Sequence, residues 1–394
     1  MRIALLSPLP PEQTGIADYA AVWRRALEEQ GVSVAAPLSG QPPAASALEL
    51  GWQLQRVDWS RFELAHAELG GGREREFMAL EWLARHQPWL KLTATVHDPE
   101  RLIWRPPGLP RQWPRWLSQG AALLMDPLTL ARERRLAGRL ARLVTLTDTG
   151  ADCLARRMRL PAERVARIPH GNQALPAAPL PPLPPEGPLR LLYFGFIYRG
   201  KGIEDLLDAL ALLQEEPDTR DRVRLTLAGG AAPDIAFGRS GSYLDSLRQH
   251  AIRLGLRRNM LDWRLNLPPE QIPALIQAHH TMVLPYRESR KLAWLGQMRG
   301  TSGALSWAAA CGRGVVCSNA RAFAEEAAHG NGEVYPQGDS AALAWALRGL
   351  LLEPQRLARH SASAGELGAE RAWPSVAAQF RRLFEAVLTE RGHD

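Results

Sequence analysis

Short apolar runs alternate with longer segments of helical spacing along most of this chain. Residues 2–7 have the pattern of a buried strand, and Thr14 is placed to cap a helix with Ile16, Ala20, Trp23 and Leu27 on one face until Gly31 stops it. Further strands are expected at 62–68, 90–96, 143–146 and 164–168, with helices such as 75–85 and 150–157 between them. Such succession predicts a parallel, doubly wound sheet. The alternation restarts at Leu189 with a strand, a helix from Ile203, a strand closing at Gly230, a helix over 243–254, a strand near Met260, a helix over 270–279 and the strand TMVLPY. After an irregular piece, Thr301-Ser302-Gly303 leads into ALSWAAACG and the strand VVCS. Val376, Phe380, Leu383, Phe384 and Val387 space a last amphipathic helix.

Between the two alternating halves lies LPAAPLPPLPPEGP, residues 175–188, whose prolines exclude helix and central strand and predict a semi-rigid spacer. The expected layout is a first domain over 1–174, the linker over 175–188, a second domain over 189–372 and a final helical segment over 373–394. Two doubly wound domains on a short linker are expected to face each other across a cleft.

The second half is organised around LRLLYFGFIYRGKGIEDLLDAL, residues 189–210. Its apolar run is too short for a helix, breaks at Gly195, and resumes after Gly200 and Gly202 with helical spacing. The loop between strand and helix holds Arg199 and Lys201 beside glycines that let backbone approach a ligand, just ahead of a helix start that favours an anion. Only three lysines occur, Lys91, Lys201 and Lys291, against a background of arginine, which singles out Lys201. A phosphate is the expected guest; the alternative is an ordinary turn with two solvated cations. Thr301 or Ser302 at the later helix start offers a second set of free N–H groups, and two such termini in one domain suit a diphosphate.

In a doubly wound sheet, ligands bind beyond the carboxyl ends of the strands. Gly70-Gly71-Gly72 follows the second strand and forms either a plain turn or an opening for a bulky substrate. His97-Asp98 follows LKLTATV, where an imidazole and a carboxylate can bond sugar hydroxyls or move a proton. His170-Gly171 reads as a positioning element at the domain junction. The loop PLPPEQTG ending in Gly15 can bring backbone N–H groups to an anion, without a Walker lysine.

At 394 residues, 46% hydrophobic and 23% charged, the chain is long enough for two domains of ample core. No apolar run approaches a bilayer span and the N-terminus lacks the pattern of a signal peptide, so a cytoplasmic location is expected. Cys153, Cys311 and Cys317 have no metal-ligand spacing and read as free thiols of a reducing compartment. Net charge of +7 points to an acidic partner: nucleic acid, anionic lipid or a phosphorylated small molecule. In residues 101–142, arginines interleave with tryptophans at Arg101, Trp104, Arg105, Arg111, Trp113, Arg115 and Trp116. That pattern suits an anionic membrane surface ahead of nucleic acid, for which no motif is present, and otherwise an amphipathic surface with tryptophans turned inward.

Taken together and in order, RIALLSPLPPEQTGIADYA, VHD at 96–98, IPHG at 168–171, FGFIYRGKGIEDLL, LPYRES and SGALSWAAACGRGVVCS resemble glycosyltransferase family 4, whose GT-B architecture sets two Rossmann-like domains across a cleft. The resemblance covers nearly the whole chain. It implies sugar transfer from a nucleotide sugar with retention of configuration and without a required metal or other cofactor. It places Gly15 near the donor diphosphate, His97 near the transferred sugar, and Arg199 and Lys201 on the phosphates, with Thr301, Ser302 and Gly303 as further phosphate contacts. The nucleoside is expected over Gly229, Gly230 and Trp263, the acceptor beside Asp18, Gly70, Gly71 and Asp98, and the last helix crosses back to the first domain. Two departures stand out: Phe196 holds the place of an arginine common in the family, and Arg299 and Trp307 hold the places of its paired glutamates. Glu288, Glu325 or Glu326 are the candidate substitutes. The expected partners are a UDP- or GDP-sugar and a glycan or lipid-linked saccharide acceptor at the inner face of the plasma membrane, in surface polysaccharide synthesis. The missing glutamates keep a non-catalytic nucleotide- or glycan-binding subunit open, and the two-domain shape keeps a sugar-nucleotide epimerase open.

Overall fold

The computed structural model describes residues 1–12, 14–44, 46–70, 72–104, 106, 115–230, 240–288 and 298–390; side chains at 115, 116, 118, 119 and 240–242 lie outside that description. The chain divides into two units, one of Met1–Gly171, Met298–Gly300 and Trp373–Asp394, the other of Asn172–Gln297 and Thr301–Ala372.

In the first unit the order is β1 (Arg2–Leu6), α1 (Gly15–Glu29), β2 (Ser33–Ala35), α2 (Ala47–Gln55), β3 (Leu64–Leu69), α3 (Glu74–His86), β4 (Lys91–Val96), α4 (Arg115–Leu124), α5 (Asp126–Ala137), β5 (Arg142–Thr145), α6 (Asp148–Met158) and β6 (Val165–Arg167). Its sheet runs β2-β1-β3-β4-β5-β6, every pairing parallel. Strands β3 and β4 are buried almost throughout, although His66 and Glu68 on one and Thr93 and Thr95 on the other alternate with apolar residues. Thr14 caps α1, its hydroxyl accepting from the Ala17 amide at 3.1 Å, and Trp23 is fully buried on that helix.

The second unit adds β7 (Leu189–Phe194), α7 (Ile203–Glu215), β8 (Val223–Gly229), α8 (Ser240–Arg253), β9 (Leu261–Leu265), α9 (Ile272–Gln277), β10 (Thr281–Leu284), α10 (Gly303–Ala310), β11 (Gly314–Ser318), α11 (Phe323–Glu326), β12 (Gly332–Tyr335), α12 (Ser340–Leu352) and α13 (Pro354–Glu370). This sheet is also parallel, in the order β12-β11-β10-β7-β8-β9. The last helix, α14 (Trp373–Thr389), belongs to the first unit, where Phe380 and Phe384 meet the Trp23 ring of α1 edge-on.

The proline-rich segment is packed rather than free. Leu175, Leu180 and Leu183 lie on the core of the second unit. Arg313, 1% exposed, ties the segment down. Its guanidinium donates to six carbonyl oxygens, those of Gln277 (2.7 Å), Pro179 (2.8 Å), His279 (2.9 Å), Gly312 (3.0 Å), Ala178 (3.1 Å) and Cys311 (3.3 Å). The fork of Arg reaches carbonyls in several directions, which a lysine ammonium at the end of a flexible stem does not.

Replacing Arg313 by alanine leaves buried carbonyls without donors. The expected loss is about 3 kcal/mol of stability, read from urea denaturation, with Arg313→Lys recovering less than half. An Arg313→Ala protein as stable as the wild type contradicts this role.

Candidate active site

In the second unit the chain leaves β7 toward β8 on one side, while β10 pairs β7 on the other, so the order of strands reverses between β7 and β10. The loops after these two strands border the reversal, where doubly wound sheets bind ligands. Glycine makes the close approach possible there. A Cβ on Gly202 (φ +63°) would sit 1.7 Å from the Pro285 carbonyl oxygen, and one on Gly229 (φ +150°) would sit 1.8 Å from that of Gly195.

Lys201 reaches into this junction. It is 9% exposed, with Nζ 3.6 Å from the centre of the Tyr286 ring and 4.9 Å from that of Tyr198. No carboxylate pairs with it among the described residues. The buried Asp205 nearby on α7 is held by the Arg287 guanidinium. Burial, and secondarily the charge of Arg321, hold the Lys201 amine well below the usual lysine range.

Tyr286 links Lys201 to the start of α10. Its hydroxyl lies 3.1 Å from Ser302 Oγ, and Ser302 caps the helix by accepting from the Ala304 amide. Thr301 Oγ1 is buried without a hydrogen-bond partner among the described residues. Arg321, in a left-handed conformation (φ +56°) just past β11, completes the cluster with its guanidinium 5.9 Å from the Tyr286 ring centre. Glu288 holds it there, Oε1 accepting from the Arg321 amide at 2.7 Å. Two cations, an unsatisfied hydroxyl and a helix N-terminus gather here, an arrangement that suits an anion, and no carboxylate meets the Lys201 amine among the described residues.

The structure brings the expected Lys201, Ser302 and Thr301 together with Arg321, which the sequence did not single out. Other expected residues lie elsewhere. Arg199 is exposed, its guanidinium 5.2 Å from the Tyr243 ring, whose hydroxyl donates to Glu204. Glu326 is committed to a buried pair with Arg371 at 2.7 Å, which removes it as a substitute for the missing glutamates. Glu325 is half-buried on the single turn of α11, whereas Gly303 stays at the cluster as the exposed first residue of α10. Gly229 pairs with Leu265 at the carboxyl ends of β8 and β9, whereas Trp263 pairs with Leu227 further back, under the Arg248 guanidinium. Gly230 faces Phe196 and Asn266. Arg299 falls in the first unit, its amide donating to Glu100, and Trp307 meets Phe194 edge-on.

The first unit gathers a second cluster beyond β3 and β4. His97 donates from Nε2 to Glu68 Oε2 at 2.7 Å, its amide bonds the Leu69 carbonyl, and Tyr19 meets its ring edge-on at 4.9 Å. Asp98 accepts from the Trp104 indole at 3.2 Å. The backbone at Gly70 is closely packed. A Cβ there would lie 3.1 Å from His97 Cβ and from Ile16, and 3.4 Å from the Asp98 carboxylate. Gly15 opens α1 with nothing near its Cα hydrogen face, and Asp18 is exposed in the first turn. Gly71 lies outside the described residues.

The arginine and tryptophan segment divides differently from its composition. Arg101 is 2% exposed and paired with Asp126 and Glu133, so it is unavailable to a membrane. Burial lowers the Arg101 pKa and Glu133 opposes that shift. Trp104 is half-buried; Arg105, Arg111 and Trp113, and the side chains of Arg115 and Trp116, lie outside the described residues. Among the described residues, the exposed apolar side chains include Leu123 and Leu124 (85%) at the end of α4 and Leu128 (70%) at the start of α5.

Comparison with known proteins agrees with these two sheets. The chain resembles HepE from Anabaena, solved with UDP, at 17% identity and TM-score 0.68, covering 98% of this chain and 100% of that one. It resembles sucrose-phosphate synthase from Thermosynechococcus elongatus at 18% identity and TM-score 0.71, covering 98% and 99%. A glycosyltransferase from Rickettsia africae matches at 12% identity and TM-score 0.65, covering 99% of each chain. These likenesses give the fold, that of GT-B glycosyltransferases. No curated protein matches. Residues 181–366, which hold the Lys201 cluster, match the family model for glycosyl transferases group 1, so the chain carries a group 1 glycosyltransferase domain and is a glycosyltransferase.

Proposed function

We propose that this enzyme transfers a hexose from a nucleotide sugar to a saccharide acceptor, with retention of configuration as in family 4. The observation that carries the reading is Lys201, a buried amine without a carboxylate partner among the described residues, set with Arg321 and Thr301 at the start of α10. As the bond between sugar and diphosphate breaks, its electron pair stays on the phosphate oxygen. Fixed cations there favour the transition state over the bound donor. These cations and the helix N-terminus supply positive charge that a metal ion would otherwise bring, which supports a reaction without a required metal. UDP is the favoured carrier over GDP, because HepE was solved with UDP and UDP-glucose. An acceptor that is a glycan or lipid-linked saccharide of the cell surface is favoured by likeness to a lipopolysaccharide outer core galactosyltransferase at 10% identity and TM-score 0.65.

A lipid-linked acceptor asks for contact with the membrane from the cytoplasmic side. No helix among the described residues is long and apolar enough to cross one. Within residues 101–142, the exposed Leu124 and Leu128, with Arg135 and Arg139 exposed further along α5 and past its end, offer apolar insertion and cationic attraction to anionic lipid.

Lys201→Ala removes a charge-assisted contact of about 1.5 to 3 kcal/mol, so kcat/KM for sugar transfer should fall by about one to two orders of magnitude, with much of the loss in kcat. A folded Lys201→Ala enzyme with near-normal kcat/KM returns this loop to an ordinary turn. Leu124→Glu with Leu128→Glu should lower co-sedimentation with phosphatidylserine vesicles by about tenfold, since burying one leucine contributes about 1.5 to 3 kcal/mol. Unchanged sedimentation removes the membrane contact.

A further inference from the structure

The geometry points to Glu68 as the positioning residue of His97: its buried carboxylate fixes the proton of His97 on Nε2 and leaves Nδ1 as the atom offered to the donor sugar. This rests on the proposed transferase reading for its effect on rate, but not for the arrangement itself.

Glu68 lies on β3, where all six residues are buried, and is itself 0% exposed. A carboxylate in such a place is costly unless bonded. Oε2 receives His97 Nε2 at 2.7 Å and Oε1 lies 3.4 Å from His66 Nε2. Burial pushes the Glu68 carboxyl up, yet the two imidazoles beside it, His66 close to Oε1 and His97 bonded to Oε2, outweigh burial and hold it below the usual range, so it is a carboxylate. A carboxylate only accepts, and therefore the facing His97 nitrogen must be the donor.

The surroundings make Glu68 rigid. His66 lies within hydrogen-bond reach of Thr93 Oγ1 (2.8 Å) and Thr95 Oγ1 (3.0 Å), the residues that pair across β4 with His66 and Glu68. Trp23 stacks on His66 with ring centres 5.0 Å apart. The His97 ring is pinned in turn by Glu68, by the edge of Tyr19 and by the tight space at Gly70. Its side chain is 14% exposed, and Nδ1 makes no hydrogen bond among the described residues. An imidazole whose inner nitrogen is committed and whose outer one is unused suits a single contact to a sugar hydroxyl, with its direction set by the carboxylate behind it.

Two measurements test this. Glu68→Gln should lower kcat for sugar transfer by about 10- to 100-fold with KM for the donor within threefold, and the same change made in a His97→Ala protein should lower it no further. Glu68→Asp, which keeps a carboxylate one methylene back, should recover part of the rate, and it serves as the test if Glu68→Gln does not fold. A Glu68→Gln enzyme of normal kcat, or one that loses the same factor with or without His97, overturns the assignment. Nitrogen-15 spectra of His97 judge the arrangement without turnover: the wild type should be protonated on Nε2, and Glu68→Gln should shift the proton toward Nδ1. A bare Nε2 in the wild type, or shifts unmoved by the substitution, overturns it as well. Absence of transfer by the wild type with every donor, alongside the expected spectra, would sink the transferase reading and leave the pairing of Glu68 with His97 standing.

Discussion

The second unit is built around a buried amine that no carboxylate neutralises among the described residues. Lys201 is carried into the sheet's reversal by a loop whose next residue, Gly202, passes too close to Pro285 for any side chain. Once there, the amine meets two aromatic rings and a second cation but, among the described residues, no carboxylate, and burial depresses its pKa. An isolated buried cation is among the costlier arrangements a protein can hold. Such cost concentrates where a ligand of opposite charge later enters.

Everything near Lys201 fits that one demand. Asp205 is buried within a few residues but is tied to Arg287, which keeps it from neutralising the amine. Tyr286 packs against Lys201 with its ring and against Ser302 with its hydroxyl, so the loop after β10 joins the cation to the capped start of α10. Glu288 is used to hold the Arg321 backbone, which sets a second cation by the Tyr286 ring. Arg313 fastens the proline-rich segment to the same domain from the opposite end of the sheet's connections, through carbonyls rather than charge. The first unit handles a buried charge in the reverse manner, surrounding the Glu68 carboxylate with two imidazoles.

Much of this was legible because it is local. The strand, loop and helix around Lys201 follow from apolar spacing interrupted by glycine, and they recur as β7 and α7. The cap at Ser302 follows from residue type and position alone. What was not legible depends on partners distant in sequence. Arg321 reads as an ordinary surface arginine until the parallel pairing of β10 and β11 sets it beside Tyr286. Glu68 reads as a polar interruption of a strand until register places His66 and His97 around it. Arg101 reads as part of a basic surface until α5 supplies Asp126 and Glu133. The short β2 has too few residues to show a period, and the helix expected over 270–279 shortens to α9 behind a 3-10 turn because Pro273 enters its first turn.

The central claim, that Lys201 waits for a diphosphate, is tested most directly by proton uptake on binding UDP. In the empty site the depressed amine holds less proton than a free lysine between its lowered value and 10.5, and in that window stability of the free protein rises with pH because the unfolded chain binds more protons. A bound diphosphate favours the charged amine, so binding takes a proton up and affinity falls as pH rises. Calorimetric titration with UDP at mildly alkaline pH, in buffers of different ionisation enthalpy, should give a heat that depends on the buffer in the sense of uptake, and Lys201→Met should abolish that dependence. A heat independent of buffer in the wild type, or an unchanged dependence in Lys201→Met, contradicts the account.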